Sequence, residues 1–291
     1  MKIVIFGLGS IGLRHAGLLK EYGGHEIVAF RTLGSKNAIN LKEIFSWDEL
    51  DQFKPELAVI CNPTSLHIKT AIECVKRGVF LFLEKPIGSS EEGLDELVEL
   101  VQAKKLTTYV AYILRFHPAI AELKEKIRKE KLLHCRMVCS SFLPDWRKGS
   151  DYKKSYSASK KEGGGVLLDL SHELDMADYL FNGVKTIEGK LGKASSLTVD
   201  SEDYADLILS TSACPVSIHL NYFSHQTKRS IFIDTESNVF EVDLISGDRD
   251  ALYKRQWDYF FDNIRNPKMM NNLIEAAPLF KQMIHFKEKA L

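Results

Sequence analysis

The chain has no run of roughly 18 consecutive apolar residues, the length a bilayer-crossing helix needs, so no membrane span is expected. It also lacks an excess of either charge, with 39 Lys plus Arg against 39 Asp plus Glu. That balance argues against a general nucleic-acid or membrane-surface binder and leaves room only for a local basic pocket. Cysteine is sparse and odd in number: Cys61, Cys74, Cys135, Cys139 and Cys214. Five scattered thiols make no disulfide framework; they read as buried, reduced side chains and point to the cytoplasm. Cys135 and Cys139 share one side of a strand-like run but lack the spacing of a zinc knuckle. There is no internal repeat and no low-complexity linker. The opening "MKIVIFGLGS" resembles a signal sequence only superficially, because glycines break its apolar run within a few residues.

What is present is 291 residues, enough for two domains with ample cores. Through about residue 110, apolar runs ("KIVIF", "EIVAF", "LAVIC", "VFLFLE", "TTYVAY") alternate with amphipathic segments. Ser10 to Tyr22 reads as the first helix. "SLHIKTAIECVKRG" closes on Gly78, and "SSEEGLDELVELVQAKK" opens with serine capping candidates and ends in lysines. Strands alternating with helices predict a doubly wound parallel sheet covered on both faces. After "RFHPAI" the pattern changes to closely spaced strands of period two, which predict a C-terminal α/β domain with a large, open, mostly antiparallel sheet. The expected division is therefore 1–117 and 118–291. The last forty residues read as helical, with a break near Asn266-Pro267.

"GLGSIG" falls between a predicted strand and a predicted helix, the context that gives a GxGxxG pattern meaning. Gly7 permits the tight turn, Gly9 lets backbone approach a pyrophosphate, and Gly12 allows close helix–strand packing. Ser10 and Ile11 then belong to the phosphate-binding helix start. At the end of the second strand, where an acid would hold the adenine ribose, the sequence is "VAFRTLGSKN". Arg31 can pair with a ribose phosphate, and Thr32, Ser35 and Lys36 add donors, so NADP is favoured over NAD.

Three more motifs follow in order: "CNPTSLH", "EKP" and "GGGVLLDLSHELD". With "GLGSIG" they resemble the glucose–fructose oxidoreductase/inositol dehydrogenase/MocA (Gfo/Idh/MocA) family over essentially the whole chain. The resemblance implies an N-terminal Rossmann domain and a substrate domain whose open sheet often forms a homo-oligomer interface. It implies cofactor contacts from Asn62, Pro63, Thr64, His67, Glu84 and Lys85. It also implies that Lys85, Asp169 and His172 are catalytic, working on one substrate beside the nicotinamide. Oxidising a carbinol needs a base for the hydroxyl proton as hydride departs, and histidine titrates in the right range. His172 is the candidate base, Asp169 its orienter or a ligand for a neighbouring hydroxyl, and Lys85 the stabiliser of negative charge on oxygen. Lys85 as the acid/base itself is the other assignment. The glycines before Asp169 read as backbone passing close to ligand and cofactor, and Glu173 and Asp175 as solvated or capping residues.

Arg115 and His117 lie at the expected domain junction, and Trp146, Arg147, Tyr152 and Tyr156 lie in a polar aromatic loop. These six are the candidate substrate contacts, since aromatic faces suit sugar rings and arginines suit phosphates or carboxylates. Tyr222 and Arg229 are as readily ordinary sheet residues. The expected function is an NADP(H)-dependent oxidoreductase acting on a carbinol or ketone carbon of a sugar or sugar nucleotide. The competing readings are a non-catalytic NAD(P)-binding sensor and an NAD-dependent glycosidase-like enzyme. A metal site from Asp169, His172 and Glu173 is disfavoured, because no matching ligand cluster lies elsewhere.

Overall fold

The computed structural model describes residues 1–32, 39–147 and 149–290. It divides into two compact units, Met1–Ala111 with Trp257–Ala277, and Tyr112–Gln256 with Pro278–Leu291. This differs from the expected division at 117/118 in two ways: the first unit ends earlier, and a late segment returns to it.

In the first unit, β1 (Lys2–Phe6), α1 (Ser10–Tyr22), β2 (Glu26–Phe30), β3 (Lys42–Ile44), α2 (Trp47–Phe53) and β4 (Leu57–Ile60) lead to α3 (His67–Lys76). Then come β5 (Phe80–Leu83), α4 (Leu94–Lys104) and β6 (Thr108–Val110). The six strands are parallel in the order β3-β2-β1-β4-β5-β6. The central strands are apolar throughout because helices cover both faces: Ile3, Val4, Ile5 and all of Leu57 to Ile60 are at 0% exposure. Strand β3, "KEI", escaped the sequence reading because three residues with two charges carry no period. Helix α4 starts later than its serines suggested. Its N-cap is Gly93, at φ +78°, and no side chain caps it.

The returning segment joins the first unit through specific bonds. Val110 N–H donates to Asn271 O at 2.9 Å, and Asn271 Nδ2 donates back to Val110 O at 2.5 Å. Leu273 N–H donates to Thr108 Oγ1 at 3.0 Å, and Trp257 stacks on Phe82 with centroids 4.0 Å apart. Edge strand β6 would otherwise leave backbone groups without partners in the protein.

In the second unit, α5 (Pro118–Ile127), β7 (Leu132–Phe142), α6 (Val166–Asp169) and α7 (His172–Leu180) precede a run of strands. These are β8 (Val184–Gly192), β9 (Tyr204–Thr211), β10 (Val216–Asn221), β11 (Phe223–Thr235) and β12 (Val239–Asp243). The sheet order is β12-β11-β7-β10-β9-β8, with β7–β10 parallel and every other pair antiparallel. Cys135, Met137, Val216, Ile218, Leu207, Leu209, Ile231 and Ile233 line one face and are buried, with α6 and α7 packed on that side. The opposite face carries Arg136, Ser217, His219 and Phe232, with Ile208 61% exposed. Cross-strand pairs organise it: Arg136 lies over Phe232 at 4.3 Å and His219 Nδ1 is 2.6 Å from Asp206 Oδ1. The chain closes with α8 (Arg249–Asn263) and α9 (Leu273–Ala290), separated at the predicted Asn266-Pro267 break. Among the described residues, no helix is long and apolar enough to cross a membrane.

Candidate active site

The strand order reverses between β1 and β4, and ligands of such sheets bind outside the carboxyl ends of the strands at that point. The loops leaving β1 and β4 touch there. Gly7 sits at φ +87°, and a Cβ on it would come within 2.7 Å of Cys61 O and 2.8 Å of Asn62. A Cβ on Gly12 would collide with the Gly7 carbonyl, so α1 starts close under the turn. Gly9 is different: a Cβ there meets nothing within 4 Å. Helix α1 has no side-chain N-cap and no acid in its first turn, which leaves its leading amides and positive dipole end available to an anion. This cradle fits a dinucleotide pyrophosphate, which Gly9, Ser10, Ile11 and Gly12 would hold. Arg31 follows β2 at the same sheet edge, its Nη1 3.9 Å from Glu43 Oε1 on β3. Thr32 is exposed beside it, while Ser35 and Lys36 lie outside the described residues.

The "CNPTSLH" and "EKP" loops are tied together by His67. Its Nδ1 lies 2.8 Å from Pro86 O and its Nε2 2.9 Å from Asn62 O, and burial pushes its pKa down. Asn62 Nδ2 donates to Thr70 Oγ1 at 2.8 Å; Pro63 is exposed and Thr64 buried. Glu84 faces inward rather than toward a ligand. Its Oε1 is 2.8 Å from His15 Nε2, and its Oε2 accepts the Lys85 backbone N–H at 3.2 Å. Trp257 Nε1, which can only donate, bonds His15 Nδ1 at 3.0 Å, so the His15 proton is on Nε2 and is given to Glu84. This buried chain anchors the backbone at Lys85, whose side chain is half-buried. Sequence periodicity could not reveal it, since its members are 69 and 242 residues apart.

In the second unit the glycine run has a different use from the one expected. A Cβ on Gly164 would collide with the Tyr156 carbonyl and lie 2.6 Å from that of Ser157. One on Gly165, at φ +119°, would collide with the Glu202 carboxylate. The glycines make room for the chain's own backbone and for Glu202, which pairs with Lys287 at 3.0 Å. Asp169, at the end of α6, is buried and accepts the Tyr222 hydroxyl on Oδ2 at 2.7 Å. The Asp169 charge, together with burial, also pushes the pKa of the Tyr156 phenol up. His172 opens α7, 8% exposed, with the Tyr112 ring edge-on at 5.6 Å.

The other acids of the motif are neither solvated nor caps. Glu173 and Asp175 are each 1% exposed. Arg229 Nε donates to Glu173 Oε1 at 2.8 Å, and Arg115 grips Asp175 through Nη2 at 2.8 Å and Nε at 3.0 Å. Arg115 is therefore committed to a buried ion pair rather than presented to a ligand. His117 caps α5, its Nδ1 accepting from Ala119 N–H at 3.2 Å. Of the loop residues, Trp146 donates to Ser141 Oγ at 2.9 Å and packs edge-on against Tyr222 at 5.3 Å. Arg147 lies 5.3 Å over the Tyr156 ring, and the Tyr152 hydroxyl accepts from Thr198 N–H at 3.1 Å. The structure thus gathers Trp146, Arg147 and Tyr156 around Asp169 and Tyr222. The signal that would have singled out Tyr222 is the interruption of period-two alternation between β10 and β11.

Known proteins give the same picture. Residues 1–112 match the oxidoreductase family with an NAD-binding Rossmann fold, and residues 120–242 match the GFO/IDH/MocA C-terminal domain. An uncharacterized oxidoreductase of Streptococcus pneumoniae is 25% identical over 63% of this chain and 51% of its own length. The 2,7-anhydro-N-acetylneuraminate hydratase of Mediterraneibacter gnavus is 26% identical over 62% of this chain and 49% of its own length. The chain's match thus spans about half the length of these curated relatives. The WlbA dehydrogenase of Bordetella pertussis, solved with NADH and UDP-GlcNAcA, shares the fold with a TM-score of 0.82. That likeness comes at 17% identity, covering 99% of this chain and 96% of that one. Both units match in order and over most of the chain, so the chain belongs to the Gfo/Idh/MocA family of oxidoreductases.

Proposed function

We propose that this protein is an NADP(H)-dependent oxidoreductase acting on a carbinol or ketone carbon of a sugar or sugar nucleotide. The observation that carries the reading is the gathering of "GLGSIG", Arg31, "CNPTSLH" and "EKP" at one sheet edge, around an uncapped helix start. Bound there, the nicotinamide accepts or supplies hydride. The chain's residues do the rest: the α1 amides hold phosphate, and Arg31 with Thr32 takes the ribose end. Lys85 donates to the reacting oxygen, His172 takes or returns its proton, and Asp169 orients His172 or a substrate hydroxyl. Arg31 and the lack of an acid after β2 support NADP. From Arg147 to Lys161 there are six basic residues and one acid, which suits a substrate carrying phosphate or carboxylate. The exposed sheet face of the second unit is the proposed homo-oligomer surface, and five buried free thiols support a cytoplasmic location.

The test is a screen of purified protein with NADP and NAD against UDP-GlcNAcA, other sugar nucleotides, free sugars and myo-inositol. Reduced cofactor should accumulate with one of these, and Lys85→Met and His172→Ala should abolish turnover while cofactor binding persists. Wild-type activity in both variants would overturn the site. One relative is a hydratase, so products are read by mass as well as by nicotinamide absorbance. Turnover without net reduction would favour an enzyme that uses the cofactor transiently.

A further inference from the structure

Asp169 is not a bare carboxylate waiting for substrate. Tyr222, from a segment far away in sequence, donates to the carboxylate Oδ2 at 2.7 Å, and the Asp169 charge raises the pKa of the Tyr156 phenol. Tyr222 is fixed at the break between β10 and β11, fully buried. Its backbone N–H donates to Asp203 O at 3.0 Å and its carbonyl accepts from Leu143 N–H at 2.8 Å. Tyr156 arrives by another route, on the backbone segment that Gly164 admits. Hydrogen bonds to an ionised acceptor are among the stronger ones, and a satisfied buried network fixes orientation. A carboxylate offers about four acceptor sites, so the Tyr222 phenol leaves capacity for a further donor.

We infer that Tyr222 is a positioning residue for the reaction, holding the Asp169 carboxylate in the one orientation that meets a substrate hydroxyl or His172. The inference rests on the reading of Asp169 as a member of the active site. A corollary concerns the phenols themselves, which the network keeps protonated. The Asp169 charge is the main cause for Tyr156, opposed by Arg147; burial is the main cause for Tyr222, reinforced by Asp169, Tyr156 and Glu202.

Two experiments separate the network from its role. In the first, tyrosine labelled with 13C at Cζ is titrated toward alkaline pH by NMR in the full chain and in Asp169→Asn. Tyr156→Phe and Tyr222→Phe identify their signals among the ten tyrosines. In Asp169→Asn the Tyr156 phenol should ionise at lower pH, with a smaller displacement for Tyr222; unchanged titrations would overturn the network. The second uses the substrate found in the screen, or UDP-GlcNAcA as the first probe. Tyr222→Phe should lose about tenfold in kcat with little change in KM. In an Asp169→Asn background, slowed but still measurable, the same substitution should cost nothing further. Additive losses in the double variant, with Asp169→Asn itself strongly slowed, would overturn the positioning role alone. Wild-type turnover by Asp169→Asn would instead overturn the reading of the site on which it rests.

Discussion

"GLGSIG" in the first unit and "GGG" in the second each bring three glycines to a helix start, but the space around them differs. At Gly9 a side chain would enter open space on the ligand side of the sheet edge. At Gly164 and Gly165 it would strike the Tyr156–Ser157 backbone and Glu202. The arginines differ in how closely they are paired. Arg31, its side chain 8% exposed, stands 3.9 Å from Glu43, whereas Arg115 is locked to Asp175 with both side chains 2% exposed. The first unit leaves the space over Gly9 open, and the second spends many of its conspicuous residues on internal order. Glycine and arginine in a motif thus do not identify a binding function until the groups they face are known.

The sharpest way to break this comparison is Arg115→Ala. If Arg115 is structural, the substitution strands a buried Asp175 carboxylate and should cost about 3–5 kcal/mol of stability, seen as a lowered denaturation midpoint. If it is a substrate contact, stability should hold and KM rise instead. Gly164→Ala comes next. The added methyl meets backbone oxygens that cannot swing aside, so a loss of roughly 1–3 kcal/mol is expected, again by denaturation. Wild-type stability there would return the glycines to the role of ligand approach.

Gly9→Ala is the converse experiment. Its φ is −69°, a value alanine tolerates, and nothing lies near the new methyl, so only alanine's poorer N-capping counts, about 0.5–1 kcal/mol of stability. Dinucleotide affinity should nonetheless fall about tenfold or more, roughly 1.4 kcal/mol, by calorimetric titration. Unaltered affinity would mean that the cofactor backbone does not pass over Gly9.

How much of this was legible in the sequence follows from how far each signal reaches. Strand–turn–helix order is local, so β1, α1, β2, β4 and β5 and the order of the loops between them were readable, as was the open second sheet. Partners set by tertiary packing were not. The pairing of Arg115 with Asp175 spans 60 residues, that of Glu173 with Arg229 56, and that of Trp257 with His15 242. Each looks in sequence like an unattached polar group beside a motif, which invited a ligand-binding reading for Arg115 and a solvated one for Asp175. The return of Trp257–Ala277 to the first unit was hidden for the same reason: its helix has no pattern that distinguishes one core from another.

The smallest expected effect bears on the cofactor. Glu43 stands near enough to Arg31 to compete with a ribose phosphate for the guanidinium, although at 3.9 Å, beyond hydrogen-bond distance, the pair is weak, about 0.2–1 kcal/mol. Glu43→Gln should therefore raise the ratio of kcat/KM for NADP over NAD by a factor of roughly 1.5 to 5. Arg31→Asp should lower the same ratio, because it replaces the phosphate partner with an acid that suits ribose hydroxyls. The two substitutions must move the ratio in opposite directions if Arg31 reads the ribose phosphate. Movement in the same direction, or none, would make the first unit's arginine as structural as the second's.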